Sequence, residues 1–161
     1  MSTQDITLQF ASHRDAEALS AMSRDLIEAG LGWRYREESI IRLIDDAETV
    51  ALVARSAETL AGFGIMNIGD ERAHLILLAV RPGYQRRGIG HRMVRWLVDS
   101  AATAGVASVH VELRAANAAA HALYRGAGFA ETLRLPGYYS GRETAIRMMR
   151  LLRAPGGAAK G

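Results

Sequence analysis

The chain has no cysteine among its 161 residues. Disulfide bonds, zinc sites with thiolate ligands and a thiol nucleophile are therefore excluded. It also has no run of residues long and apolar enough to span a membrane. The first ten residues, MSTQDITLQF, contain an acidic residue and no basic segment, so they do not match a signal peptide. We therefore expect a cytoplasmic protein without disulfides.

Internal repeats and interdomain linkers are also missing. The length suits one domain with a sizeable core, and 49% hydrophobic with 23% charged residues is ordinary for a globular protein. We predict a single domain over residues 1–153 and a flexible, glycine-rich tail over residues 154–161. The net charge of +3 fits either simple solubility or an anionic ligand or partner.

Hydropathy patterns in the first half of the chain predict strands and two helices. The alternating segment DITLQF favours a strand. The helix after it is expected to begin at Ser12, with Asp15 three residues on as in a capping box, and to end at Gly30. A second, shorter helix is predicted in REESIIRLIDDA. The segments TVALVARS and TLAGFGIMNIG, separated by a few polar residues, predict a hairpin.

The second half alternates between strands and helices. A near-continuous apolar run, AHLILLAV, is typical of a central strand buried on both faces. Beyond Gly88 the pattern takes a helical period, which Gly105 ends. Strand ASVHVELR, helix NAAAHALYRGAGF and strand AIRMMRLL follow. The face of the first helix that we expect in the core consists of Ile89, Met93, Leu97 and Ala101. This order predicts an α/β (α+β) fold, a mixed sheet with helices on both faces.

The segment YQRRGIG, residues 84–90, joins the central strand to that helix. The first N–H groups of a helix and its dipole attract an anion, and Gly88 and Gly90 allow the backbone to approach a ligand closely. Arg86 and Arg87 add charge-assisted hydrogen bonds suited to phosphate. The segment therefore predicts a pyrophosphate site, with a plain basic turn and a nucleic-acid contact as the alternatives.

Two common nucleotide-binding motifs do not account for this segment. A P-loop requires a lysine after its last glycine, and none follows here. The dinucleotide fingerprint G-x-G-x-x-G requires glycine at the position of Met93. Both of these nucleotide motifs are excluded by residue identity.

Two longer segments, LAVRPGYQRRGIGHRMV and VELRAANAAAHALYRGAGF, resemble the signature motifs of the GNAT acetyltransferase superfamily. Residues 85–90 contain the family pattern Q/R-x-x-G-x-G/A in full. The similarity continues through LPGYYSGRETAIRMM, which is similar to ribosomal-protein alanine N-acetyltransferases, and covers roughly half of the chain. It implies an acetyl-CoA-dependent N-acetyltransferase. It also implies one GNAT-like domain with a mostly antiparallel sheet, splayed at its central parallel pair.

The resemblance also implies where acetyl-CoA binds. The pantetheine arm is expected along the main chain of the strand AHLILLAV, and the pyrophosphate on the amides of the turn. Asn117 matches an asparagine that contacts the cofactor arm, and a helix cap is its other expected role. The predicted cofactor-binding residues are Leu78, Ala79, Val80, Gln85, Arg86, Arg87, Gly88, Ile89, Gly90, His91 and Asn117. No metal is expected.

Two residues match the catalytic positions of the family. Tyr124 matches a tyrosine that protonates the leaving thiolate, with core packing as its alternative role. Glu112 faces the same side of its strand as His110 and matches a glutamate that takes the proton of the amine through water. A salt bridge to Arg114 or another arginine is the alternative. His74 and His110 are rival bases, since the pKa of histidine suits the task.

The acceptor is the least constrained part of the prediction. Trp33, Tyr138 and Tyr139 lie in loop segments and are predicted to contact it. We expect a protein or peptide N-terminus. The alternatives are a small amine (a polyamine, an amino acid or an aminoglycoside) and a non-catalytic CoA-binding module. The segment GLGWRYREES departs from the N-terminal acetylating subgroup, which leaves the acceptor open. Nucleic acid and membrane are not expected partners, and the protein is expected to be a monomer or a homodimer.

Overall fold

The computed structural model describes residues 5–153, which build one seven-stranded sheet flanked by helices. The predicted tail, residues 154–161, lies outside the described residues. None of the helices in the described range combines the length and the apolar character needed to cross a membrane. The strands are β1 (Ile6–Phe10), β2 (Thr49–Ser56), β3 (Thr59–Ile68), β4 (Arg72–Val80), β5 (Ser108–Arg114), β6 (Ala130–Tyr139) and β7 (Glu143–Leu151). The helices are α1 (Ala16–Met22), α2 (Glu37–Asp45), α3 (Ile89–Ala104) and α4 (Ala118–Gly126).

The sheet is antiparallel except at its centre. Its strand order is β1-β2-β3-β4-β5-β7-β6, and β4 and β5 form its parallel pair. Their pairing joins Arg72–Leu75 to Ser108–Val111 and stops there, although both strands continue. The two strands therefore separate towards their carboxyl ends. The predicted fold class, including the splayed parallel pair, is confirmed.

Helices cover both faces of the sheet, as predicted. Helix α3 packs on one face, and its four expected core residues, Ile89, Met93, Leu97 and Ala101, are all at most 1% exposed. Helices α1 and α2 pack against each other on the opposite face, over a cluster that includes Phe63 and Ile65. Apolar residues at helical spacing on α3 and alternating residues on the strands thus build two cores, one on each side of the sheet.

Strand β4 changes the side it buries along its length. Ala73 and Leu75 pack in the α3 core, whereas Leu77 and Ala79 pack in the core below α1 and α2. The register between β3 and β4 shifts at this point, between Ile65 and Met66. A β-bulge places one extra residue in the strand and so exchanges its two faces.

The prediction that β4 is buried on both faces is wrong. His74 is exposed, and Ile76, Leu78 and Val80 are only half-buried. The neighbouring strand β5 has separated from β4 beyond Leu75, so Ile76 and Leu78 border an opening instead of a second layer. A continuous apolar run cannot distinguish a strand enclosed on both sides from one that borders a cleft.

The first predicted helix is capped as expected but is shorter and less regular. The amide of Ser12 donates to the Asp15 carboxylate over 2.9 Å, and a 3₁₀ turn, His13–Asp15, leads into α1. After Met22 the chain widens into a π-helical turn, Ser23–Ile27, where the helix ends. Gly30 lies beyond the end in the left-handed region, with φ of 79°. The predicted end at Gly30 is therefore three residues too late.

One strand was not predicted from the sequence. Strand β6 follows α4, pairs with β7 and forms an edge of the sheet. It contains Pro136 and Gly137, which argue against a strand in a sheet interior, but proline is tolerated at an edge. The register irregularity between Leu135 and Tyr139 lies at these two residues. The hairpin formed by β6 and β7 brings its tip beside the carboxyl end of β5.

Candidate active site

A cleft of about 1450 Å³ opens where β4 and β5 separate. Its walls come from the loop between α1 and α2, from both separated strands, from the start of α4 and from the β6–β7 hairpin. Of the residues predicted for the site, the cleft brings together Trp33, Leu78, Glu112, Asn117, Tyr124, Tyr138 and Tyr139. Ala79, Val80 and the glycine-rich turn lie outside its lining.

The glycine-rich turn has the backbone shape of an anion site. Arg86 and Gly88 both have positive φ, 63° and 78°, and Gly88 directly precedes α3. Left-handed residues at such a turn aim successive N–H groups towards one point. A Cβ at Gly88 would meet no atom within 4 Å, so the glycine is required by its backbone conformation.

The second glycine of the turn has a packing role. A Cβ at Gly90 would lie 3.3 Å from the Leu123 side chain of α4. A Cβ at Gly126, near the end of α4, would lie 3.2 Å from the ring of His91. The first residues of α3 are therefore in close contact with Leu123 and Gly126, in the second half of α4. Sequence reasoning gave Gly90 only a role in ligand approach, whereas the structure shows that it also admits α4.

The turn is fastened to the end of β4 by side chains of the predicted motif. The Gln85 side-chain amide donates to the Val80 carbonyl over 2.9 Å, and the Arg87 guanidinium lies 5.5 Å from the centre of the Tyr84 ring. On its other edge, β4 pairs with β3 through Leu78, Ala79 and Val80. The edge that faces β5 has no strand partner there. It offers main-chain groups on which an extended ligand arm can pair.

Helix α4 carries Tyr124 and is capped at its amino end by Asn117. The Asn117 side chain accepts a hydrogen bond from the Ala120 amide over 3.0 Å, which confirms the predicted cap. Its contact with a cofactor stays a prediction. Tyr124 is 5% exposed and packs edge-to-face on Phe129. Burial raises the pKa of its hydroxyl far above the ordinary value. The hydroxyl is therefore protonated at neutral pH, as a proton donor must be.

Glu112 stands on β5 with the orientation that the alternation predicted. Val111 and Leu113 are buried towards α3, while Glu112 faces the cleft with its side chain 31% exposed. Its Oε1 accepts from the Tyr139 hydroxyl over 3.2 Å and its Oε2 from Arg147 Nε over 3.1 Å. The carboxylate is oriented by two donors and still reaches the solvent of the cleft.

The salt bridge given as the alternative role of Glu112, to Arg114 or another arginine, is present, and it is made by an arginine other than Arg114. Arg114 lies two residues away on the same strand but donates to the Ala29 carbonyl, over 2.6 Å, in the α1–α2 loop. The arginine that pairs with Glu112 is Arg147 on β7, its register partner across the strand pair. Sequence reasoning missed Arg147 because the pairing of β5 with β7 is not local.

The two neighbouring tyrosines at the end of β6 have different roles. Their rings meet edge-to-face at 5.1 Å. Tyr139 points its hydroxyl to Glu112, and burial together with that carboxylate raises the pKa of the phenol. Tyr138 is 48% exposed and has the Arg147 guanidinium 5.9 Å from its ring centre. Tyr138 is thus the more exposed of the two rings, and its contact with an acceptor stays a prediction.

The α1–α2 loop is held by its own side chains. Trp33 donates through Nε1 to the Ser20 carbonyl over 3.2 Å, and the guanidinium groups of Arg24 and Arg36 lie 5.1 and 4.6 Å from the centre of its ring. The buried Glu28 accepts from the amides of Arg34 and Tyr35, and from the Ser23 hydroxyl. Sequence reasoning did not single out Glu28, and only its burial reveals it. Trp33 therefore shapes the cleft wall as well as bordering it.

The two histidines that compete with Glu112 as the base, His74 and His110, lie near the amino ends of β4 and β5. The rings of His74 and His110 stack with their centres 5.4 Å apart. Burial, followed by the nearby His74 and Arg72, lowers the pKa of His110. His110 also lies 2.8 Å, through Nε2, from the Ser108 hydroxyl. Both histidines stand where β4 and β5 are still paired, before the strands separate.

Comparison with known families identifies the class of the protein. The model of the acetyltransferase (GNAT) family matches residues 17–129, more than half of the chain. The chain belongs to the acetyltransferase (GNAT) family, and the resemblance of its two motifs is confirmed. Within residues 5–153, no three histidine, aspartate or glutamate side chains come together as ligands for a metal ion.

Two curated relatives are informative. The [ribosomal protein bS18]-alanine N-acetyltransferase of Escherichia coli K12 is 42% identical over 92 residues, which cover 55% of this chain and 62% of that protein. The match thus spans less than two thirds of that relative. The N-alpha-acetyltransferase RimI of Mycobacterium tuberculosis H37Rv is 34% identical over 133 residues, 79% of this chain and 80% of that one.

Solved structures share the whole architecture. The crystal structure of the ribosomal-protein-S18-alanine N-acetyltransferase from Escherichia coli has a TM-score of 0.80 at 28% identity, covering 97% of this chain and 99% of that chain. Arabidopsis thaliana NAA60 in complex with acetyl-CoA has a TM-score of 0.82 at 19% identity, covering 92% and 99%. At that identity the second likeness concerns the fold alone.

Proposed function

We propose that the protein transfers the acetyl group of acetyl-CoA to the α-amine at the N-terminus of a protein or peptide. The observation that carries this proposal is the opening between β4 and β5, which has the anion-binding turn at one end and Glu112 beside Tyr139 at the other. Tyr124 lines the same cleft from α4. Acetyl-CoA supplies the acetyl group as an activated thioester. We expect the protein in the cytoplasm, where acetyl-CoA is available.

The residues present fit acetyl-CoA. The turn offers amides at a helix N-terminus together with Arg86 and Arg87 for the pyrophosphate. The unpaired edge of β4 at Leu78, Ala79 and Val80 offers main-chain groups for the pantetheine arm. Main-chain N–H groups near Val80 would polarise the thioester carbonyl.

The chemistry requires no covalent enzyme intermediate. The amine nitrogen attacks the acetyl carbon, the C–N bond forms and the C–S bond breaks. Glu112 receives the proton of the amine through water, and the Tyr124 hydroxyl gives a proton to the thiolate that leaves. Holding both reactants in one cleft supplies much of the acceleration. Tyr124 lines the cleft and keeps its proton at neutral pH, although its raised pKa makes the hydroxyl a weaker acid than that of an exposed tyrosine.

The acceptor amine must lose its proton before it can attack, and this requirement favours an α-amine over a lysine side chain. A lysine side chain, with a pKa of about 10.4, costs about 4 kcal/mol to neutralise near pH 7.4, whereas an α-amine with a pKa of about 7.8 costs about 0.5 kcal/mol. Glu112 is a single, partly exposed carboxylate and is suited to the smaller task. The names of the two curated relatives, an alanine N-acetyltransferase and an N-alpha-acetyltransferase, support the same acceptor class.

A small polyamine is the second candidate and is less well supported. Polyamines require a strongly acidic site, but each glutamate that lines the cleft is already bonded within the protein. Glu28 binds loop amides, Glu112 binds Tyr139 and Arg147, and Glu143 lies 3.5 Å from Arg114.

The test is mass spectrometry of a defined amine mixture after incubation with the protein and acetyl-CoA. The mixture holds peptides with free α-amines, the same peptides N-blocked with free lysines, and a panel of small amines. Acetylation confined to free N-termini is the expected result. Modification of small amines alone would overturn the proposed acceptor. Binding of acetyl-CoA without acetylation of any amine would support a non-catalytic module instead.

A further inference from the structure

Three nitrogen-bearing side chains line the inner end of the cleft, where β4 and β5 are still paired. They are Arg72 and His74 on β4 and His110 on β5. His74 and His110 are register partners and stack with an interplanar angle of 26°. Arg72 lies two residues before His74, so the two side chains are on the same side of the strand. The three groups therefore form one surface, which we call the inner basic patch.

The inner basic patch is not neutralised by the protein. Across residues 5–153, neither Arg72 nor His74 bonds to a carboxylate, and both are exposed to the cleft. The remaining member, His110, is fixed by the Ser108 hydroxyl. The nearest carboxylate on the same strand face, Glu112, is held by Tyr139 and Arg147.

The charge balance of the whole cleft points in the same direction. Its lining contains the arginines Arg34, Arg72, Arg114 and Arg147 but only the glutamates Glu28, Glu112 and Glu143, and no aspartate. Each of the three glutamates already has partners within the protein. Burial is the first cause of the lowered pKa of His110, followed by His74 and Arg72, so the permanent positive charge of the inner basic patch is that of Arg72. A carboxylate bound here would accept hydrogen bonds from the Arg72 guanidinium and from the imidazole N–H groups.

We propose that Arg72, His74 and His110 form a subsite for a carboxylate of the acceptor, so that this enzyme prefers acidic N-terminal segments. The inference rests on the proposed function. His110 and Glu112 are two residues apart on one strand face, a separation of about 7 Å. An extended peptide whose α-amine lies at Glu112 therefore places the side chain of its second or third residue near the inner basic patch.

The experiment compares three acceptor peptides that begin with alanine and differ only at residues two and three, which are both aspartate, both serine or both lysine. The expected order of kcat/KM is aspartate above serine above lysine, with roughly tenfold between the extremes at low salt. The preference is expected to shrink as the ionic strength rises, because the subsite is partly exposed. Free L-glutamate is a fourth acceptor, which distinguishes a peptide carboxylate from that of a small molecule.

Variants assign the preference to the patch. In Arg72→Gln/His74→Gln, the ratio between aspartate and lysine peptides is expected to fall below about threefold. Arg72→Glu should reverse the order of kcat/KM in favour of the lysine peptide. A misfolded variant would lose activity on every peptide and could not gain activity on one of them. The matched control is His13→Gln/Arg42→Gln, which removes the same residue types from the exposed surface around α2 and should keep the wild-type ratio.

The outcomes separate the two proposals. Equal kcat/KM for the three peptides, or an unchanged ratio in Arg72→Glu, would overturn the subsite and leave N-terminal acetylation standing. Acetylation of free glutamate but of no peptide, with dependence on Arg72, would support the subsite and overturn the peptide acceptor. A preference for lysine in the wild-type protein would contradict the inference directly.

Discussion

The hydroxyl of Tyr139 donates a hydrogen bond to Oε1 of Glu112 over 3.2 Å. The other oxygen accepts from Arg147 Nε over 3.1 Å, so β6 and β7 together orient a carboxylate that stands on β5. The raised pKa of Tyr139 keeps its phenol protonated, and thus a donor, throughout the neutral range. The proposed base is therefore held by one neutral and one positive partner while it remains open to the cleft.

Replacing Glu112 by glutamine should lower kcat by about 10²- to 10³-fold, because a positioned base contributes on this order. The Kd of acetyl-CoA, measured by calorimetry, should stay within about twofold, since Glu112 lies on the acceptor side. Glu143→Gln is the matched control, a cleft carboxylate beside Arg114 and away from the reacting atoms. A Glu112→Gln enzyme with normal kcat would show that another group takes the proton.

Tyr139→Phe tests the relationship between the two residues. The loss of one hydrogen bond to a charged group costs about 1.5–3 kcal/mol, so we expect kcat/KM to fall by about ten- to a hundredfold. If Tyr139 acts by orienting Glu112, the double variant Tyr139→Phe/Glu112→Gln should be no worse than Glu112→Gln alone. Strictly additive losses would instead assign Tyr139 a separate contact with the acceptor.

Tyr124→Phe should reduce kcat strongly and leave the affinity for acetyl-CoA nearly unchanged. The substitution removes the buried hydroxyl but keeps the edge-to-face packing on Phe129, so the fold should persist. Single-turnover kinetics, which separate the chemical step from product release, are the appropriate measurement. Unchanged turnover would leave Tyr124 with core packing as its role.

Gly88→Val should weaken acetyl-CoA binding by at least about tenfold. A β-branched residue at a φ of 78° is strained, so the turn must change its backbone and withdraw amides from the anion site. Gly83→Ala is the control, a glycine of the same turn region without positive φ and with free space around its Cα. Equal affinities in the two variants, measured by calorimetry, would contradict the pyrophosphate assignment.

Asp15→Asn should destabilise the fold by about 3–5 kcal/mol, because it leaves the Arg55 guanidinium buried without its charged partner. The side chains of Arg55 and Asp15 are only 13% and 7% exposed where they pair. Urea denaturation gives the free energy of unfolding. The double variant Asp15→Leu/Arg55→Met should recover the part of the loss that comes from the unpaired guanidinium, but not the hydrogen bond from the Ser12 amide to the Asp15 carboxylate. A single variant as stable as the wild type would show that solvent reaches this ion pair.

Local patterns in the sequence determined much of the fold and of the site. The buried face of α3, the alternation that turns Glu112 towards the cleft, the cap at Asn117 and the turn at Gly88 all depend on residues within a few positions of one another. Helical and strand periodicities and capping rules act over that range. The motifs that indicated an acetyltransferase lie in the same local segments.

The tertiary structure alone decided the rest. Arg147 meets Glu112 because β7 inserts between β5 and β6, and Leu123 meets Gly90 because α4 lies across the start of α3. The bulge in β4 turns Leu77 and Ala79 to the other core, and the apolar run gave no sign of the cleft that β4 borders. Register between strands distant in sequence is set by long-range pairing, and no local pattern records it. For that reason the sequence indicated the acetyltransferase chemistry. The partner of each site residue and the charged residues that line the cleft are determined by the tertiary structure.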